Sequence, residues 1–102
     1  MRNAFTLAAL AALLATPPAM AAERFDLAAG HGFDWTRPRG ARCEALTPRR
    51  VQALPRCEFP ASGAFGLDLA HYTCRSDSGE LLVFRNAGEC REALETMKAH
   101  AP

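Results

Sequence analysis

From Tyr72 to Met97 the chain reads YTCRSDSGELLVFRNAGECREALETM, and this stretch decides the fold class. Tyr72-Thr73-Cys74 and Leu81-Leu82-Val83-Phe84 are short segments rich in strand-forming residues, separated by Ser76-Asp77-Ser78-Gly79. Asp bonds its own downstream backbone and Gly accepts positive φ without steric cost, so the spacing predicts a β-hairpin. Behind the hairpin, Asn86 is suited to accept a hydrogen bond from a free N–H of a first helical turn. Glu89, three residues on, completes a capping-box pattern. Cys90, Leu94 and Met97 then recur at i, i+4 and i+7, while Arg91, Glu92, Glu95 and Lys98 carry the charge elsewhere. The expectation is a helix from Ala87 to Lys98 with Cys90 turned toward the sheet, where Cys74 is an available partner.

Working back toward the N-terminus, the first hairpin strand extends to about Phe65. Leu67, Leu69, His71 and Thr73 share one face of it, and Asp68, Ala70, Tyr72 and Cys74 share the other. Apolar residues lie on both faces, which a bulge near Gly66 or a sheet covered on both sides would reconcile. Ala61-Ser62-Gly63-Ala64, after Phe59-Pro60, is a loop of small residues. Thr47-Pro48 reads as an N-cap with proline at the first helical position. It opens a short helix that ends before Pro55, with Val51 and Leu54 inward and Arg49, Arg50 and Gln52 outward.

The first residues read as an address. Arg2 supplies a positive start, Phe5 to Ala15 an apolar stretch too short to span a bilayer, and Ala19-Met20-Ala21 a small-x-small cleavage site. Residues 1–21 are therefore expected to be a signal peptide and 22–102 a single small exported domain, periplasmic or secreted. No cysteine stands at the cleavage point to carry a lipid anchor, and no later segment is long and apolar enough for a transmembrane helix.

All four cysteines, Cys43, Cys57, Cys74 and Cys90, lie in the exported part. An even count in a small domain is the pattern of a disulfide framework made in an oxidising compartment. Four cysteines allow three connectivities. The pairing expected here is Cys43 with Cys57 and Cys74 with Cys90, because each bridge then closes one supersecondary unit.

The segment from Arg37 to Arg56 is the most charged. Arg37, Arg39, Arg42, Arg49, Arg50 and Arg56 face the single acid Glu44, although loss of Arg2 would leave the exported chain with 11 basic and 11 acidic residues. This is a candidate docking face for an acidic partner, against the simpler reading of a solvated surface in a chain that uses arginine almost exclusively and holds one lysine, Lys98. Nucleic acid is not expected: the basic run lacks interleaved aromatics and the balance is neutral. Further upstream, Phe25, Leu27, Phe33 and Trp35 are apolar anchors joined through Gly30 and Gly32. They read either as an arm docked on the domain or, for Phe33 and Trp35, as an aromatic platform for a partner or a sugar.

Catalytic and metal chemistry find little footing. His31, His71 and His100 are scattered, no pair of ligands has zinc spacing, and bridged cysteines cannot ligate. The closest cysteines, Cys43 and Cys57, are 14 residues apart, not Cys-x-x-Cys. Phosphate loops, nucleophile elbows and His-Glu-x-x-His are lacking, and Asp68, Asp77 and Glu80 are explained by turns and solvated edges. No enzyme activity, metal or cofactor is expected.

Tyr72 and Cys74 followed by Gly79, Leu81, Val83 and Phe84 are similar to the strand pair of the small periplasmic C-type lysozyme inhibitors, disulfide-bonded binders built as a β-barrel. In that family a Ser-Gly inhibitory loop follows the strand pair; here Ser62-Gly63 precedes it and a helix ends the chain, so the family is not assigned. The resemblance implies only that a small exported binding or inhibitory module is a reasonable class.

The expectation is a small disulfide-stapled α+β domain: an antiparallel sheet built on a β-hairpin, packed by a C-terminal helix and a short N-terminal helix. Leu54, Phe59, Phe65, Leu69, Tyr72, Leu82, Phe84, Leu94 and Met97 are its expected core. The function expected is a non-catalytic binding module, an inhibitor being one such module, for an envelope or secreted protein. A small-ligand or glycan binder using Trp35 and nearby arginines, and a structural envelope component, are the alternatives.

Overall fold

The hairpin forms where the turn chemistry places it, one residue pair sharper than a four-residue turn. In the computed structural model, which describes residues 23–100, strand β4 (His71–Ser76) runs into β5 (Gly79–Phe84) with Ser76 opposite Gly79 and Asp77-Ser78 as a two-residue loop. The expected signal segment and its cleavage point after Ala21 lie outside the described residues. Asn86 Oδ1 accepts from the Glu89 N–H at 2.8 Å and opens the C-terminal helix, α2 (Ala87–His100). Thr47 Oγ1 accepts from the Arg50 N–H at 3.1 Å and opens α1 (Pro48–Gln52), which stops two residues before Leu54.

Around the hairpin the sheet grows on both sides. Its strand order is β2-β1-β5-β4-β3, all neighbours antiparallel, with β1 at His31–Asp34, β2 at Glu44–Ala45 and β3 at Arg56–Ala61. The segment expected to be a docked arm is thus an interior strand, with Phe33 opposite Leu82 and Gly32 opposite Val83. Gly32 is required by close approach: a Cβ there would stand 2.7 Å from the Leu82 carbonyl oxygen. The first hairpin strand is shorter than expected. Before His71 the chain makes a 3-10 turn at Ala64–Gly66, and the sheet's irregularity lies not at Gly66 but in β3, between Glu58 and Ala61.

The question of which face is buried resolves as both. One cluster, of Phe33, Leu82, Phe84, Cys90, Ala93 and Met97, packs beneath α2, with Phe65, Leu67, Leu69 and Leu94 half-buried against it. Ala93 takes the fully buried helical position that the periodicity gave to Leu94. On the opposite face Leu46, Tyr72, Cys74, Leu81 and Val83 are covered by Phe25, Leu27, Val51, Leu54 and Phe59. Phe25 meets Tyr72 edge-on at 5.1 Å between ring centroids, and the Tyr72 hydroxyl donates to the Phe25 carbonyl. Such edge-to-face geometry adds roughly 0.5–1.5 kcal/mol beyond the area buried. His71 is 2% exposed beneath the helix side, its Nδ1 at 2.9 Å from the Leu69 carbonyl and its ring tilted on Phe84.

This two-sided arrangement overturns the expected disulfide pairing. The bridges are Cys43–Cys90 and Cys57–Cys74. Cys90 lies in the cluster under α2 and Cys74 in the cluster on the other face, so the sheet itself separates them. Cys57 instead stands directly opposite Cys74 across β3 and β4, while Cys43 comes from the loop before β2, with its Cα 6.1 Å from that of Cys90. Both bridges, with no free cysteine left over among the described residues, suit an oxidising compartment.

Candidate functional site

The sheet edge at β1 is where the sequence-predicted arginines gather. β2 pairs only with His31 and Gly32, so it ends before Phe33 and Asp34, and the loop from Trp35 to Cys43 swings past the uncovered strand. Asp34 shapes the start of that loop, its Oδ1 accepting from both the backbone N–H and the hydroxyl of Thr36. The result is a cleft of about 330 Å³ lined by Arg37, Arg39, Arg42 and Arg50 together with Asp34 and Glu44. Four guanidiniums face two carboxylates there.

The cations are oriented by weak, exposed contacts. Arg37 Nη2 donates to the Ser78 carbonyl at 3.0 Å, tying the loop to the hairpin turn. Glu44 lies between Arg42 at 4.0 Å and Arg50 at 3.8 Å, with at least half of each side chain exposed. Exposed pairs of this kind contribute about 0–1 kcal/mol each, so their effect is on placement more than on stability. The remaining members of the expected basic face are elsewhere. Arg49 is on the exposed side of α1 and does not line the cleft. Arg56 starts the opposite edge strand, across from Arg75, in a shallow hollow with Pro55, Ser76 and Asp77.

Phe33 and Trp35, expected to act together, are separated by the fold. Phe33 is 1% exposed and stacks on Phe65 and Phe84 in the core, so its ring is not offered as a stacking platform although the residue borders the arginine cleft. Trp35 is 39% exposed, the one large apolar side chain so exposed among the described residues. Strand alternation puts Trp35 on the same side as Phe33, and likewise Glu80 beside Leu82 and Thr73 beside His71. These residues belong to the helix-side face of the sheet, where Phe33, His71 and Leu82 are buried while Trp35, Thr73 and Glu80 are open to solvent to differing degrees.

There a second depression, about 350 Å³, is lined by Trp35, Ser62, Gly63, Phe65, His71, Thr73, Glu80 and Leu82. The Trp35 indole N–H donates to Glu80 Oε1 at 2.6 Å, and the other Glu80 oxygen pairs with Arg75 Nε at 2.8 Å. Two of its lining residues have left-handed backbone, Gly63 at φ 80° and Phe65 at φ 56°. For a non-glycine residue that conformation costs of order 1–3 kcal/mol and is held only where the surroundings impose it. Sequence reasoning singled out Trp35 but did not join it to these residues, Glu80 among them, which it explained by turns and solvated edges, because the contact with Glu80 spans 45 residues.

Among the described residues no group of three His, Cys, Asp or Glu side chains could hold a metal ion, and no helix is long and apolar enough to cross a membrane. Comparison of the chain with protein-family models, with curated proteins and with solved structures found no match.

Proposed function

We propose that this chain is a non-catalytic binding module, exported to the periplasm or beyond, that engages an acidic surface on an envelope or secreted protein through the arginine cleft. The observation that carries the reading is the convergence of Arg37, Arg39, Arg42 and Arg50 on one exposed cleft where only Asp34 and Glu44 oppose them. Arginine forks recognise carboxylates bidentately, and clustered exposed charge steers encounter with an oppositely charged partner. Exposed charges are screened within about 8 Å at physiological salt, so the association is salt-sensitive.

The test is cross-linked capture from an envelope fraction at low and high salt, with partners identified by mass spectrometry. Arg39→Glu with Arg50→Glu is expected to lose the partner, while Arg56→Glu, at the opposite sheet edge, keeps it. A partner retained by the double reversal, or lost equally with Arg56→Glu, would refute the cleft as the contact.

A further inference from the structure

We propose that the depression at Trp35 is a second binding site, independent of the arginine cleft, and that it takes a neutral pyranose ring of a glycan. Three features select that ligand class. The first is an aromatic face held in place: the indole N–H is tied to Glu80 and Glu80 to Arg75, so Trp35 is preorganised and loses little freedom when a ring stacks on it. The electron-rich face of an indole favours the weakly positive C–H face of a sugar ring.

The second feature is polar groups beside that face. The hydroxyl-bearing side chains Ser62 and Thr73 and the Glu80 carboxylate line the same space, suited to the alternating donors and acceptors of sugar hydroxyls. Phe65 lines the same space and adds apolar surface beside these polar groups.

The third is charge. The acid in the depression is already paired with Arg75, so the local charges cancel, unlike those of the arginine cleft. A ligand with its own charge gains nothing there. The volume, about 350 Å³, is at the small end of ligand sites and suits one or two rings, not a protein segment.

Trp35 is the only tryptophan of the chain, so intrinsic tryptophan fluorescence reports on this site alone. The experiment titrates the folded protein with chitotetraose, cellotetraose and maltotetraose, and with polygalacturonic acid as the acidic comparison. A saturable emission shift with at least one neutral tetrasaccharide is expected. Thr73→Val with Ser62→Ala, checked for an unchanged melting curve, should weaken it; calorimetry on Trp35→Ala should show a loss of about tenfold or more. Arg39→Glu with Arg50→Glu should leave the titration unaltered, which separates this site from the cleft. Flat emission with all three neutral probes at millimolar concentration, a response confined to the acidic polymer, or full affinity in both groove variants would each overturn the proposal.

Discussion

Phe33 and Trp35 stand two residues apart and do different work. Phe33 is buried and stacks on two other aromatic rings, and Phe33→Ala should cost about 3–5 kcal/mol in urea unfolding. Trp35→Ala, at an exposed position, should stay within about 1 kcal/mol of the parent. Equal losses for the two would contradict the burial that distinguishes them. Gly32→Ala is a sharper probe of the same strand. The new Cβ would meet the Leu82 carbonyl, a backbone atom that cannot swing aside, and overpacking of this kind costs about 1–3 kcal/mol. An unchanged urea midpoint would mean that β1 does not press on β5 as closely as described.

At the scale of elements, α2 depends on the Asn86 side chain, which caps the Glu89 backbone N–H; the reciprocal bond that a Glu89 carboxylate would make in a capping box is not formed. Asn86→Ala should destabilise by about 1 kcal/mol, and Asn86→Gly by only a few tenths, because glycine leaves the cap position open to water. Urea unfolding of the two variants side by side checks this; equal losses would assign the effect to something other than the cap. β3, the long edge strand, carries Arg56, Glu58 and Pro60 and an interrupted register. Charge, proline and irregularity are the usual protections of an edge against pairing with another chain. β1 was not legible as a strand because His-Gly-Phe-Asp lacks alternation and contains glycine, a weak strand former. Its identity comes from pairing with β5 some 50 residues later, a non-local contact that no window of sequence contains.

For the molecule as a whole, the bridges are the main restraint on the unfolded chain. Cys43–Cys90 spans 47 residues and Cys57–Cys74 spans 17, for which loop-closure entropy gives about 4 and about 3 kcal/mol. Together these are comparable with the net stability of a small domain. Reduction should therefore lower the melting temperature steeply. Serine replacement of Cys43 and Cys90 should cost more than replacement of Cys57 and Cys74. Non-reducing peptide mapping checks the connectivity itself; a Cys43–Cys57 peptide would overturn the two-faced sheet, since it would leave Cys90 and Cys74 to pair through the sheet.

What the sequence determined by itself is local: the hairpin turn, the Asn86 and Thr47 caps, the even cysteine count and the α+β class. The turn and the caps follow from residues within a few positions of one another, where backbone preference and side-chain hydrogen bonds act directly, and the count and the class need only composition and the order of elements. Tertiary structure alone decided the rest. Both faces of the sheet are covered, so Cys74 and Cys90 lie on opposite sides of it, and the bridges join Cys74 to its strand neighbour Cys57 and Cys90 to Cys43. The arginines that cluster between residues 37 and 56 are separated by the fold, four lining the cleft and Arg56 starting the opposite edge strand, and Trp35 meets Glu80 only because β1 lies beside β5. Alternation along a strand tells which residues share a face; only long-range pairing tells what that face meets.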